Sequence, residues 1–373
     1  MAEMISWHWQ RLATGTPDCQ APYDEERLLD PESGSSSRHP SKHLQFLRPT
    51  KATAYLLLID VMLLGLLVYT LEPLITLLRR NEELFQPRVA LSQSKVATPW
   101  VEAGPQKIPR ILHQTCATST IPDKWVNSQR SCKEAYSDFE YKLWTDELVR
   151  DLIASDYPWF LDSWDNYAFP IQRADALRYF ILYHYGGIYL DMDTFCNETF
   201  PLHQVESSTV AHTAVFKSTL PTGVTNDFMI SSARHPVYAS IISKLPVFYI
   251  ITRFWARLQP YCNIMLSSGP LFLTLVVKDY LLEQPSLPSP AIQVVSSSEL
   301  APYITDLESS TWHQADAQAL MWLGNRPWTW FTLGAIGLVA GLCVVNHALL
   351  SVWSALHRRI PSVAYAVKMA KVA

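Results

Sequence analysis

An α/β domain built on a βαβ sheet and held between two membrane-crossing helices is the fold class this sequence predicts, on three observations. From Lys107 onward, short strand-like runs alternate with helical ones, the pattern of a sheet with helices on its faces. Within that region Tyr185-Gly186-Gly187 breaks a helix and opens an apolar run ending in Asp191-Met192-Asp193, which puts two acids at the carboxyl end of a buried strand. Two long apolar runs, 54–71 and 328–350, flank the region. With 373 residues, 49% of them apolar, the chain has room for one folded domain besides those runs.

Residues 1–50 carry the stretch from Pro31 to Pro40, polar, rich in breakers and without periodicity, so they are expected to form a disordered cytoplasmic tail. The run from Ala54 to Leu71 is apolar except for Asp60 and Thr70, and it continues to Leu78 past Glu72 and Pro73. A span over 54–78 is long enough for a hydrocarbon core of ~30 Å. It begins about fifty residues into the chain, as a signal anchor does and a cleaved signal peptide does not. Asp60 inside it costs roughly 2.5–3.5 kcal/mol at mid-bilayer, relieved either by water access or by a polar contact with a regulatory membrane subunit as partner. Residues 80–106 read as a stem.

The folded domain, 107–325, opens with a strand near Arg110–His113, followed by a helix over Asp123–Ala135, a strand over Glu140–Leu143 and a helix from the N-cap Thr145 to about Ser155. In the helix from Gln172 to Tyr185, Ala174, Leu177, Phe180 and Ile181 form an apolar face for the sheet, while Asp175 and Arg178, three apart, share another. Further on, Val247–Leu258 mixes four aromatic residues with Arg253 and Arg257. It is too short and too basic to cross a bilayer. Its composition suits a segment at the lipid headgroup boundary, whose arginines could bind an acceptor phosphate, and its apolar spacing also suits a core helix.

The second span, 328–353, contains Gly334, Gly337 and Gly341 and is flanked by Trp328, Trp330 and Trp353. Basic residues around the first span are balanced. Around the second they are not: only Arg326 precedes it closely, whereas Arg358, Arg359, Lys368 and Lys371 follow. The positive-inside rule therefore places the basic tail 354–373 and the amino terminus in the cytoplasm, and residues 80–327 in a lumen. The sequon Asn197-Glu198-Thr199 agrees, making Asn197 a candidate glycosylation site. Cys116, Cys132, Cys196 and Cys262 fall in the lumenal part, where three pairings are open, and their spacing does not suggest structural zinc. With 30 basic against 34 acidic residues and a pI near 6.3, no nucleic-acid partner is expected.

Asp191 and Asp193 carry the chemistry. No basic residue lies between Asp191 and Phe200, so two adjacent acids at a strand's end are most simply explained by a hard divalent cation, Mn2+ or Mg2+, bound in turn to a phosphate-bearing substrate. A phosphatase-type Asp-x-Asp-x-Thr/Val loop is disfavoured, because Phe195 stands at the last position. A cation so held has open coordination positions, and His313 could fill one or contact the diphosphate. His113, at the end of the first strand, is expected to line the nucleotide pocket or pack beside it, and Trp144 is an equal candidate for core.

Three segments, Ile108–Thr115, Tyr141–Asp146 and Arg173–Asp193, resemble the Asp-x-Asp sugar-binding glycosyltransferases of family 32. The likeness extends through Tyr157-Pro158-Trp159-Phe160, Asn226-Asp227, Ser268-Gly269-Pro270 and Thr311-Trp312-His313, and so covers roughly Lys107 to Leu320. It is nearest to the fungal branch of the family. The resemblance implies a GT-A-like nucleotide-sugar-binding fold and a Golgi (or endoplasmic reticulum) enzyme that moves mannose from GDP-mannose to inositol phosphoceramide, a membrane lipid, with retention at the anomeric carbon. It also implies sugar contact by Arg173 and Asp175 and metal ligation by Asp193. Asp191 is expected on ribose or metal-bound water, and Asn226 and Asp227 near the reacting carbon. Competing expectations are an α-mannosyltransferase acting on protein-linked glycans, a UDP-galactose-dependent transferase, and a catalytically silent scaffold for a partner transferase.

Overall fold

The computed structural model describes residues 51–91, 107–206, 209–307 and 315–370. The amino-terminal tail, the stem beyond residue 91 and His313 lie outside the described residues.

The chain begins with a long helix, α1 (Lys51–Phe85), and enters the domain through β1 (Ile111–Thr115), α2 (Asp123–Ala135), β2 (Glu140–Trp144), α3 (Asp146–Asp156) and α4 (Leu161–Asp165). Thr145 caps α3 as expected, its hydroxyl accepting from the Leu148 amide at 3.3 Å. Next come α5 (Pro170–Tyr185), β3 (Gly187–Leu190), β4 (Thr194–Cys196), β5 (Ala214–Ser218) and β6 (Val224–Ser231). Then follow α6 (Pro236–Thr252), α7 (Pro260–Ser267), α8 (Pro270–Leu282), β7 (Ile292–Val295), α9 (Ser297–Leu300), β8 (Ile304–Asp306), α10 (Ala315–Gly324) and α11 (Pro327–Ala370).

Six strands form one sheet in the order β2-β1-β3-β6-β5-β7, and β4 pairs with β8 apart from it. The first three strands are parallel, as a βαβ reading requires, but β6 runs antiparallel to both β3 and β5, so the sheet is mixed. Alternation of strands and helices reveals crossovers, whereas β5 and β6 join directly through a short turn and so reverse direction. Both faces are covered. Tyr189, Phe216 and Met229 face a core shared with Leu177, Phe180 and Ile181 of α5, while Ile188, Leu190, Phe228 and Ile230 face a second core with Tyr136. The turn from α5 into β3 admits only glycine. Gly186 and Gly187 have φ of 69° and 98°, and a Cβ on Gly187 would stand 2.5 Å from the Ile111 carbonyl oxygen.

Residues 80–91, expected as stem, pack on the domain instead. Leu77, Leu84 and Phe85 are buried in the core, Asn81 Oδ1 accepts from the Gly223 amide at 3.0 Å, and the Arg88 amide donates to the Val294 carbonyl at 3.2 Å. The charged run Arg79–Glu83 masks the helical spacing that puts those apolar residues on one face.

Four helical stretches are long and apolar enough to cross a membrane: Thr53–Phe85, Pro236–Trp255, Pro260–Leu282 and Trp328–Ala355. The first and last have none of their most apolar window buried in the protein, against 39% and 61% for the middle two. Between the outer pair, Asn346 Nδ2 donates to Asp60 Oδ2 at 3.0 Å.

Candidate active site

β3 carries Asp191 to the edge of an open cleft of about 460 Å3, and the turn after it brings Asp193 to the same cleft. The pairing of β3 with β6 extends one step further, the Asp191 amide donating to the Asp227 carbonyl at 3.1 Å, which sets Asn226 and Asp227 beside the acids. Trp125 and Lys124, at the start of α2, line the cleft with Asp146, Pro170 and Ile171.

Arg178 organises the floor. Its side chain is 3% exposed, and it reaches Asp191 Oδ1 at 3.1 Å, Asp175 Oδ1 at 3.2 Å and the Asn226 carbonyl at 2.7 Å, with the guanidinium 4.8 Å from the centre of the Tyr189 ring. Tyr189 Oη donates to Asp191 Oδ1 at 2.7 Å. Burial pushes the Asp191 carboxyl up to about 6, Arg178 opposing and Asp193 adding to the rise. Burial likewise pushes Asp175 up to about 7 against the pull of Arg178. For Arg178 burial acts downward, but Asp191, Tyr189 and Asp175 outweigh it and hold the guanidinium charged. Asn226 Nδ2 completes the cluster, donating to Asp175 Oδ1 at 3.0 Å and to Tyr179 Oη at 3.1 Å.

Lys217 forms a second ion cluster, reaching Asp227 Oδ2 at 2.5 Å and Asp306 Oδ2 at 3.2 Å. Burial lowers its pKa, yet the two carboxylates raise it by more, so Lys217 stays protonated. The other oxygen of Asp227, Oδ1, is buried and has no partner among the described residues.

The structure brings together Asp191, Asp193, Asp175, Asn226 and Asp227, but in layers. Asp191 and Asp193 line the cleft, while Asp175 and Asn226 are buried beneath it. Arg173 stands at the rim, its Nε 3.5 Å from Asp146 Oδ2. His113, on β1, is fully buried and does not line the cleft. Trp144 Nε1 donates to its Nδ1 at 3.0 Å and its Nε2–H donates to the Gly186 carbonyl at 2.8 Å, which fixes a neutral tautomer, and burial lowers its pKa to about 4. Arg253 and Arg257 are exposed on the elbow between α6 and α7, and Asn197 is exposed with Nδ2 donating to Thr305 Oγ1 at 3.0 Å.

Sequence reasoning did not place Arg178, Tyr189, Lys217 or Trp125 in the site. A signal for Arg178 was present: α5 is flanked by apolar residues on every side of Asp175 and Arg178, and a helix apolar all round is a buried one whose charges must pair. Lys217 carried none, because it comes from β5 and its partners lie on β6 and β8. The cysteine pairing left open is Cys132–Cys196, which ties α2 to β4 three residues past Asp193, and Cys116 and Cys262 are free thiols.

Among the described residues no cluster of three or more His, Cys, Asp or Glu side chains could hold a metal ion alone. Two all-oxygen acids at the mouth of a cleft nonetheless suit a hard cation that takes its remaining ligands from water and a substrate diphosphate.

Residues 122–215 match the family profile described as a glycosyltransferase sugar-binding region containing a DXD motif. The chain is 39% identical over 230 residues to a mannosyl phosphorylinositol ceramide synthase of Saccharomyces cerevisiae, CSH1, covering 60% of this chain and 58% of that protein. It is 38% identical over 248 residues to inositol phosphoceramide mannosyltransferase 2 of Schizosaccharomyces pombe, covering 65% and 67%. A second S. cerevisiae mannosyl phosphorylinositol ceramide synthase, SUR1, is 35% identical over 285 residues, covering 74% and 69%. The matched part thus spans between 58% and 69% of the lengths of these relatives.

Proposed function

The chain belongs to the family of glycosyltransferases whose sugar-binding region contains a DXD motif, and from that premise we propose that it transfers mannose from GDP-mannose to inositol phosphoceramide with retention at the anomeric carbon. The observation that carries the reading is the pair Asp191 and Asp193 at the end of β3, opening on a cleft whose far wall offers Trp125 and Lys124. Trp125 suits stacking on the guanine ring and Lys124 suits a phosphate.

Asp193, with Asp191 beside it, would hold Mn2+ or Mg2+, and His313 is the further ligand or diphosphate contact proposed. A cation bound there supplies Lewis-acid neutralisation of the departing diphosphate. Arg178 keeps Asp191 ionised and aimed at the cleft, and the antiparallel ladder of β3 and β6 fixes Asn226 and Asp227 behind it. Arg173 and Asp175 support the sugar pocket from the rim and from beneath, and His113 holds the turn that starts β3. Asp175 is already bound by Arg178 and Asn226, and Asp227 by Lys217, so neither is free to attack carbon in the manner of a retaining glycosidase. This favours a front-face transfer. The bond from C1 to the phosphate oxygen breaks, the inositol hydroxyl bonds to C1 on the same side, and its proton passes to the leaving diphosphate.

The proposed placement is a Golgi membrane, with α1 and α11 as the two spans, α6 and α8 as core helices, and the domain over 107–325 in the lumen. Support comes from the burial of the middle two apolar stretches, from the Cys132–Cys196 disulfide, which suits an oxidising compartment, and from the exposed sequon at Asn197. Arg253 and Arg257, exposed on the α6–α7 elbow, are the proposed partners of the acceptor's phosphate. The test of the assignment is Asp193→Asn, which keeps volume and removes a ligand charge. Transfer measured with saturating Mn2+ should be lost, while the thermal unfolding midpoint stays within a few degrees; near-wild-type turnover would remove Asp193 from the metal site.

A further inference from the structure

A second cavity, of about 230 Å3, lies between the start of α5 and the start of α7. Its walls are Phe169, Pro170 and Ile171 on one side and Pro260, Tyr261 and Ile264 on the other, so the lining is almost wholly apolar. Pro170 and Ile171 also line the cleft that holds Asp191 and Asp193, which makes the two hollows neighbours across a single two-residue wall. Asp316 of α10 stands at the cavity, its Oδ2 accepting from the Tyr261 amide at 2.8 Å.

Buried polar groups lock this wall in place. Gln172 accepts from the Phe169 amide at 3.0 Å and donates through Nε2 to Asn263 Oδ1 at 2.8 Å and Ser267 Oγ at 2.6 Å. Asn263 in turn donates to the Thr252 carbonyl at 2.9 Å. One network therefore joins the start of α5, which borders the acids, to α7 and to the end of α6.

Beyond Thr252 the chain makes an elbow that exposes apolar side chains to solvent. Phe254 is 82% exposed and Leu258 85%, with Val247, Ile250 and Ile251 beside them on α6 and Arg253 and Arg257 interleaved. Across the cavity, α10 exposes Met321 and Trp322 and runs through Arg326 directly into α11, whose first turns expose Trp328 and Phe331. Apolar surface of this extent, mixed with arginine and tryptophan and continuous with an apolar 28-residue helix, is what a bilayer surface accepts. The cavity therefore lies between the membrane-facing elbow on one side and the Asp191–Asp193 cleft on the other.

We propose that this cavity is the acceptor subsite for the apolar part of the lipid nearest its headgroup, held there while the headgroup crosses the Pro170–Ile171 wall to reach the donor. The inference rests on the lipid-mannosylating reading and adds where the lipid sits. At this size it admits a short stretch of chain and not a whole ceramide, so the remainder stays in the bilayer.

Filling the hollow tests it. Full-length protein in nanodiscs carrying Phe169→Trp or Tyr261→Trp should show the KM for inositol phosphoceramide raised about tenfold, with the KM for GDP-mannose steady, since a tenfold change needs only the loss of a few buried contacts. An unchanged acceptor KM in both variants overturns the proposal, as does a parallel rise in donor KM, which would assign the hollow to the donor. A second measurement stands apart from turnover: a diazirine placed on the first carbons of the acyl chain of an inositol phosphoceramide analogue should crosslink to peptides holding 169–171 and 260–264 in the wild type. Crosslinks elsewhere, or none, sink the cavity assignment and leave it to a protein partner. If the wild type shows no transfer to the lipid and yet crosslinks at those peptides, the mannosylation reading fails and the lipid subsite stands.

Discussion

Arg178 shows what a single charge does in this site. Two carboxylates, Asp175 buried beneath the cleft and Asp191 at its edge, share its guanidinium, and burial raises both carboxyls against its pull. Replacement by Met should cost about 3–5 kcal/mol, the range for breaking a buried pair by removing one partner, and lower the unfolding midpoint by roughly 10 °C. Arg178→Lys should recover only part, since one ammonium cannot address both acids and the Asn226 carbonyl together. A Met variant as stable as the wild type would show that the acids are held by something else. His113 gives the opposite kind of test. Its pKa is lowered to about 4 in the fold, from an unfolded value near 6.5, chiefly by burial. The unfolded chain therefore binds the extra proton first, and the stability that neutral His113 contributes is whole above about pH 6.5 and is lost as pH falls toward 4. His235, lowered to about 4 by burial as well, follows the same sign, whereas the raised Asp175 and Asp191 run the other way. The difference between wild type and His113→Gln isolates the one residue. Their gap in unfolding free energy should narrow by about 3 kcal/mol between pH 6.5 and 4, and a gap independent of pH would contradict the buried neutral imidazole.

Among elements, α5 does the most, since it fills one core with Leu177, Phe180 and Ile181, supplies Arg178 to the acids and borders both hollows with Pro170 and Ile171. Its existence, and that of α2, α3 and β1 to β3, was legible from local signals: apolar spacing, the Thr145 cap and the Gly186-Gly187 break. The acids at the end of β3 were legible for the same reason. What could not be read was pairing between segments distant in sequence. The reversal of β6, the bridge from Lys217 to Asp227 and Asp306, and the placement of His113 behind the cleft depend on which strands become neighbours, and a period of two or 3.6 says nothing of that. Asp60 is the same lesson in the long helices. Sequence reasoning weighed water access against a partner subunit, and the structure supplies Asn346 of α11, 286 residues away. Polar contacts between apolar helices average about 0.6 kcal/mol and reach about 1.7. A double-mutant cycle with Asp60→Leu and Asn346→Leu, read by resistance to unfolding in mixed detergent, should give a coupling in that range. Strict additivity would mean that the two side chains do not meet in the membrane.

At the scale of the whole molecule, the helix α1 ends inside the domain's own core through Leu77, Leu84 and Phe85, so the domain is packed directly on that helix. Such a molecule has one consistent orientation to test. Were the domain in the lumen, the site, the Cys132–Cys196 bridge and the sequon at Asn197 would share the oxidising, glycosylating side, while the end of α11, with Arg358, Arg359 and Lys368, and Lys371 just after it would face the cytoplasm. The sequon alone is an incomplete probe, because Asn197 lies four residues from Asp193 and packs against Thr305, where the glycosylating enzyme must act before folding closes. Ser92→Asn creates an independent acceptor with Gln93 and Ser94, outside the described residues. In sealed microsomes that variant should gain an endoglycosidase-sensitive mass, and added protease should remove an epitope fused after Ala373 while leaving the domain intact. Protection of that epitope, together with digestion of the domain and no glycan at position 92, would invert the molecule; the acids of the cleft would then face the cytosol, and the bridge between Cys132 and Cys196 would have to survive reducing conditions.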